Sequence, residues 1–262
     1  MNNLRGVYTI WYRDILRFWR DKVRMIGAIF LPLLFLFVFG SGLSSRMAML
    51  SPGVNFTQFI FPGIIGMTVL MSSFMAGVSV VWDREFGFLK EVLVAPISRA
   101  SVAAGKTLGA ATVALIQGTV ILLFAPLIGV SLSPWTVLAL LPLMFLLATA
   151  MGSFGVLLAT RISSMEAFQA VMQMLMFPMM FLSGVFFPLQ GLPAWMSILT
   201  KINPATYGIA PIRQVILGAS PDSPFSITLL GHTMSLWNNV AVLAVFGAVM
   251  ILAAMWSFNR QD

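Results

Sequence analysis

Met25-Ile-Gly-Ala-Ile-Phe-Leu-Pro-Leu-Leu-Phe-Leu-Phe-Val-Phe-Gly-Ser-Gly-Leu43 runs without a single charged side chain. About 20 mostly apolar residues, each rising about 1.5 Å along a helix, cross the hydrocarbon core of a bilayer. Five further stretches have the same character: Phe59 to Trp82, Thr107 to Val130, Trp135 to Ala159, Phe168 to Phe187 and Asn239 to Phe258. Pro32, Pro62, Pro126, Pro142 and Pro178 lie in or beside these runs, where membrane helices tolerate them. The expectation is an all-α membrane protein with six transmembrane helices in one domain covering residues 1–262.

The composition agrees with this reading. Of 262 residues 59% are hydrophobic and 9% charged, whereas soluble domains carry roughly a quarter charged residues. The net charge of +7 would suit nucleic acid if it were clustered, but the basic residues flank the apolar runs. With the N-terminus inside, twelve of the 15 Lys and Arg fall on the inner side, and only Arg46, Lys201 and Arg213 fall outside. The positive-inside rule then puts both termini in the cytoplasm, and the basic partners become anionic headgroups of the lipid bilayer, not nucleic acid. Cysteine is absent, which excludes disulfides and metal–thiolate sites. The first apolar run begins only after some two dozen residues and exceeds a signal-peptide core, so no cleavage is expected.

Ahead of the first span, Arg13, Arg17, Arg20 and Arg24 recur at spacings that place them in one stripe of a helix, with Tyr8, Trp11, Tyr12 and Trp19 on the other side. This pattern predicts an interfacial helix over residues 1–24, aromatic rings at headgroup level. Its guanidiniums would face lipid phosphates or a cytoplasmic partner; a plain anchor is the simpler alternative.

The longest inner connection, residues 83–106, reads Asp-Arg-Glu-Phe-Gly-Phe-Leu-Lys-Glu-Val-Leu-Val-Ala-Pro and continues to Gly105-Lys106. Phe86, Leu89 and Leu93 have helical spacing, Pro96 breaks the run, and Arg84, Glu85, Lys90 and Glu91 offer charge to a soluble partner or to solvent. Residues 100–107 end in Gly-Lys-Thr and match the loose spelling of a phosphate-binding loop. That mechanism needs a preceding strand and a glycine-rich turn; an alanine-rich run entering a membrane helix supplies neither. Lys106 is expected to mark the membrane edge.

At this loop the chain resembles the membrane subunits of type-2 ATP-binding-cassette exporters, similar to bacterial drug-resistance and nodulation-factor exporter permeases. The loop with Arg84, Glu85, Phe86, Gly87, Leu89, Lys90, Glu91, Pro96 and Arg99 looks like the family's coupling segment. Leu182-Ser-Gly-Val-Phe-Phe-Pro188, Leu192-Pro193, Asn203-Pro204, Tyr207 and Arg213 resemble its pattern around the fifth span and the outer loop, with Ala205 a mild departure. The resemblance implies a permease that works as a dimer, a homodimer by simplest expectation, in a bacterial inner membrane. It also implies two separate ATPase subunits, with ATP and magnesium held there and no cofactor on this chain.

Other readings are weaker on the residues. Ion-driven carriers place charges inside their spans, and the six spans as drawn have none; an amphipathic or lipid-like substrate fits better. His232 is the only histidine, which removes His-pair metal sites and His-based triads; no metal site and no catalytic residue is expected. A scaffold without transport stays open. On the fifth span Gln169, Gln173, Met176 and Met180 share a face that would line a pathway or a subunit interface, or simply pack helices. The outer loop, residues 188–237, is expected to carry a short helix or re-entrant pair after Leu192.

Overall fold

The computed structural model describes residues 2–50, 56–87, 97–189, 191–218, 227–229 and 232–259. Helix α1 (Asn2–Arg20) is followed by α2 (Lys22–Leu50), α3 (Phe56–Ser73) and α4 (Met75–Glu85). Next come α5 (Arg99–Leu122), a 3-10 turn (Ala125–Ile128), α6 (Pro134–Arg161) and α7 (Met165–Phe181). Helices α8 (Ala194–Ile202) and α9 (Pro204–Leu217) precede a two-residue ladder pairing Thr228–Leu229 with His232–Thr233, and α10 (Leu236–Asn259) ends the described chain. The chain is an all-α membrane protein, with that ladder as its one departure among the described residues.

Among the described residues five segments are long and apolar enough to cross a bilayer, α3 and α4 together making one of them. The expected fifth span is α7, whose 17 residues lie at the lower limit for crossing. Its predicted end at Phe187 is corrected: the helix stops at Phe181, and residues 182–187 turn back, Gly184 taking a φ of +78°. Glu166 falls inside its first turn, where an acid suits the positive helix end. The third span is corrected more strongly. It starts at Arg99 behind an N-cap in which Ser98 Oγ accepts from Ser101 N, and it ends at Leu122 before the turn at Pro126. Lys106 therefore sits inside the helix and not at its edge.

The bundle is centred on α3 and α4, whose most apolar window is 78% buried, while that of α2 is only 17% buried. Close packing rests on small residues, as membrane helices without a hydrophobic driving force require. A Cβ on Gly66 would meet Ile209 at 2.4 Å, one on Gly208 would meet Leu147 at 2.4 Å, and one on Gly63 would meet the Val185 carbonyl at 2.8 Å. The first and third of these contacts hold α9 and the 182–187 turn against α3.

The segment expected on the outer side is a helix pair. The amphipathic helix α8 leaves Trp195, Ile198 and Ile202 exposed, whereas Ala205 to Arg213 of α9 are buried. Asn203 joins the two helices: its Oδ1 accepts from Ala205 N at 3.0 Å, and its Nδ2 donates to Met179 O at 2.7 Å. Pro204 follows at N1, where no N–H is needed. Tyr207 Oη donates to Lys201 O at 2.6 Å, closing the end of α8. Arg213 is not a loop charge on the outer side, as its position in the sequence suggested; it is 2% exposed within α9.

Candidate functional site

Helix α1 is docked, not merely laid on a surface. Gly6, Ile10, Asp14 and Phe18 recur every fourth residue and form its inner edge. They meet the glycines of α5: a Cβ on Gly105 would stand 2.9 Å from Ile10 Cβ, and one on Gly109 would stand 3.0 Å from Asp14 Cβ. Trp11 Nε1 donates to Thr112 Oγ1 at 2.9 Å, while Tyr8, Tyr12 and Trp19 remain exposed. The two tryptophans expected to act together have therefore parted.

Where α1, α4 and α5 converge, four charges gather. Lys106 Nζ is 2.5 Å from Asp83 Oδ2 and 3.7 Å from Asp14 Oδ1, and Arg13 Nη2 is 2.8 Å from Asp83 Oδ2 and 3.5 Å from Asp14 Oδ1. Ser79 Oγ completes the shell of Lys106 at 2.5 Å. Lys106 is 1% exposed, a depth a charge reaches only when it is paired and hydrogen-bonded. Burial pushes the Asp14 carboxyl above the usual carboxylate range and outweighs the opposing pull of Lys106 and Arg13. The same contacts dispose of the phosphate-loop spelling: the lysine lies within a continuous helix, and its ammonium is already taken.

The connection expected on the inner side leaves α4 after Glu85, two residues beyond Asp83, and α1 grips it at both ends. Arg13 holds the start through Asp83; at the return, Asn3 Oδ1 accepts from Ser98 N at 2.9 Å, and a Cβ on Gly6 would stand 2.8 Å from Ile97. Glu85 and Phe86 are exposed, and Phe86 leans on Trp82 with ring centroids 5.6 Å apart. Gly87 turns the chain away with a φ of +77°, a conformation that favours glycine. Arg84 Nη1 donates to Ala159 O at 3.1 Å and Ile162 O at 3.0 Å, satisfying carbonyls at the end of α6. Arg99 opens α5. Leu89, Lys90, Glu91 and Pro96 lie outside the described residues.

The arginine stripe is divided. The chain breaks at Asp21, whose Oδ1 accepts from Arg24 N at 3.0 Å, so Arg24 belongs to α2. Arg13 points inward, Arg17 Cζ sits 4.9 Å from the Trp82 ring, and Arg20 is exposed. On α7, Gln169 and Gln173 are exposed, Met176 is half-buried and Met180 is buried, so the four do not share one environment. The charged group of Asp14, Asp83 and Lys106 was the part sequence reasoning missed. Its signal was present: three ionisable residues beside membrane spans are expensive unless they pair with one another.

Arg213 organises the far end of the bundle. Its Nη2 donates to Gly184 O at 2.6 Å, and its guanidinium lies 4.5 Å from the Phe59 ring. Arg213→Lys loses the planar stacking and this donor geometry. It is expected to lower unfolding stability in detergent by about 1–3 kcal/mol, the range for stranding a buried polar group; an unchanged unfolding midpoint would contradict the tether.

Comparison with known proteins bears on the whole arrangement. The family model described as ABC-2 type transporter matches residues 5–217. The chain is 29% identical to the transport permease ycf38 of Cyanophora paradoxa over 95% of this chain and 87% of that protein. It is 28% identical to the inner membrane transport permease YadH of Escherichia coli K12, over 84% and 86% of the two chains. With YbhR of the same strain, named as a multidrug ABC transporter permease, identity is 27% over 80% of this chain and 55% of that protein. With the match spanning α1 through α9, the chain belongs to the ABC-2 type transporter family.

Proposed function

We propose that this chain is the membrane subunit of an ATP-driven exporter, paired with a second copy of itself and with two separate ATPase subunits that hold ATP and magnesium. The observation that carries the reading is the grip of α1 on both ends of the inner connection. A push on a loop held only by itself dissipates in that loop. A push on this loop moves α1, and through the charge cluster and the Gly105–Gly109 contact it moves α4 and α5 as well. Glu85 and Phe86, exposed at the start of the loop, are the groups offered to the ATPase; Arg84 serves instead to fasten the loop's base to α6.

Gln169 and Gln173 on the exposed side of α7 support the dimer. Two amides one turn apart are poorly placed against lipid, and a second α7 would supply hydrogen-bond partners. Charge placement supports an orientation with both termini cytoplasmic in a bacterial inner membrane. The size and apolarity of the spans favour an amphipathic or lipid-like cargo.

Co-expression with the cognate ATPase tests the reading. The wild-type chain is expected to co-purify with the ATPase, and the pair in vesicles is expected to move substrate with ATP. Glu85→Lys is expected to lower transport at least tenfold while the permease still folds and inserts. A Glu85→Lys permease that exports normally would end the coupling assignment. The rival, an ion-driven carrier, would use the Asp14–Asp83–Lys106 group as its ion relay; uphill transport by the chain alone on an ion gradient would establish it.

A further inference from the structure

A cavity of about 430 Å³ opens between α2, α3 and α5, with Arg24 at one end and Pro32 and Thr68 at the other. A second cavity, of about 60 Å³, adjoins it; the two share Arg24, Ser72 and Met75, and the smaller reaches Arg17 and Trp82. The composite groove is graded in polarity. Its α2 wall is apolar, through Gly27, Ala28, Leu31 and Pro32. Midway, Ser72 Oγ donates to Gln117 Oε1, and the largely buried Gln117 side chain lines the cavity. At the mouth stand two guanidiniums. Neither Arg17 nor Arg24 makes a salt bridge among the described residues; Asp14 on the same wall pairs with Lys106 and Arg13, and Asp21, whose Oδ1 accepts from the Arg24 amide, is the acid that accompanies Arg24.

We infer that this groove holds one anionic phospholipid from the leaflet on the α1 side. The phosphate lies between Arg17 and Arg24, an ester carbonyl accepts from Gln117 Nε2, and an acyl chain follows the α2 wall. Charge complementarity selects this occupant: at the mouth Arg17 and Arg24, with Arg20 beside them, outnumber Asp21, the acid that accompanies Arg24. Gly27 keeps the wall open, since a Cβ there would meet nothing within 4 Å. The inference needs only a chain in a bilayer and stands whether or not an ATPase couples to it.

Native mass spectrometry of the full chain in detergent, with phosphatidylglycerol or phosphatidylcholine of identical acyl chains, reads the occupancy. One phosphatidylglycerol per chain is expected to be retained, with a preference on the order of tenfold over phosphatidylcholine, as two interfacial arginines supply. The double variant Arg17→Gln, Arg24→Gln is expected to bring the two lipids to near parity. Gly27→Leu extends into the open wall, where a Cβ meets nothing within 4 Å, and is expected to reduce retention of both lipids with a thermal midpoint no lower than that of the wild type. Equal retention by the wild type, or a preference that survives the double variant, overturns the proposal. The chain has no cysteine, so Gly27→Cys introduces a lone thiol. A disulfide-linked dimer formed through that thiol in membranes would put a second copy in the groove and overturn the proposal equally.

Discussion

Lys106→Met is expected to cost the folded protein about 3–5 kcal/mol, the range measured when one partner of a buried ion pair is removed. The substitution keeps the length of the side chain and deletes only its charge, so lost packing contributes little. What it leaves is the difficulty: Asp83 and Asp14 remain together with one cation, Arg13, whose side chain is 32% exposed. Asp14 has the weaker remaining contact, 3.5 Å to Arg13. Two comparisons separate this account from a general intolerance of the site. Arg13→Gln is expected to cost less, because water reaches the guanidinium it removes. Adding Asp83→Asn to Lys106→Met is expected to recover much of the loss, because Arg13 and Asp14 then remain as one matched pair and no unpaired carboxylate is left buried. Denaturant unfolding in mixed micelles measures all three. A loss below about 1 kcal/mol for Lys106→Met would mean that water fills the cluster and that the charges are not buried in the working protein.

Gly77→Ala carries the second large effect, for a steric reason. A Cβ at Gly77 would stand 2.4 Å from the Gly155 carbonyl oxygen and 2.5 Å from Phe168 Cζ. The phenyl ring can turn aside, but the carbonyl belongs to α6 and cannot. Helix α4 must withdraw from α6, which loosens Gly155 from Phe74, where a Cβ on Gly155 would already be 3.2 Å from Phe74 Cδ1. Overpacking of this kind costs about 1–3 kcal/mol and occasionally more, and Gly77→Leu is expected to abolish folding. Gly27→Ala is the matched control. It too places alanine in an apolar helix, but into open space, and alanine's helix propensity is expected to stabilise it by up to about 1 kcal/mol. Thermal midpoints of the two variants in one detergent should shift in opposite directions. A harmless Gly77→Ala would show that α4 and α6 are not in this contact in the membrane.

Much of the architecture was legible in the residues because its causes are local. A run such as Met25 to Leu43 leaves the chain no alternative to a helix in lipid, where every backbone N–H and C=O must be satisfied within the segment. The asymmetry of Lys and Arg is equally local, and the contacts bring its inner-side elements together. Asp83 at the end of α4, the start of α5 and α1 meet at one end of the bundle, and Thr160 Oγ1 lies 2.7 Å from Ser257 Oγ near the end of α10. The outer motif was also readable, although its residues turned out to be builders. Asn203 caps α9, Tyr207 closes α8, and Arg213 ties α9 to the turn at Gly184.

The errors share one cause. Lys106 was put at a membrane edge, Arg213 in an outer loop and Arg13 on a stripe facing lipid phosphates or a partner, because a charged side chain read alone belongs outside the apolar interior. Hydropathy assigns each residue a cost without its partners. Asp83 lies 23 positions from Lys106 and 70 from Arg13, separations at which no pattern along the chain brings them together. The helices, their apolar faces and the side on which the positive charge gathers follow from the order of amino acids alone, because hydrophobicity and backbone hydrogen bonding act within one segment. Which charges are buried, which glycines are contacts, and how α1 holds the inner connection at both ends were decided by tertiary packing. Pairing energies and close approaches exist only between segments that the fold has already brought together.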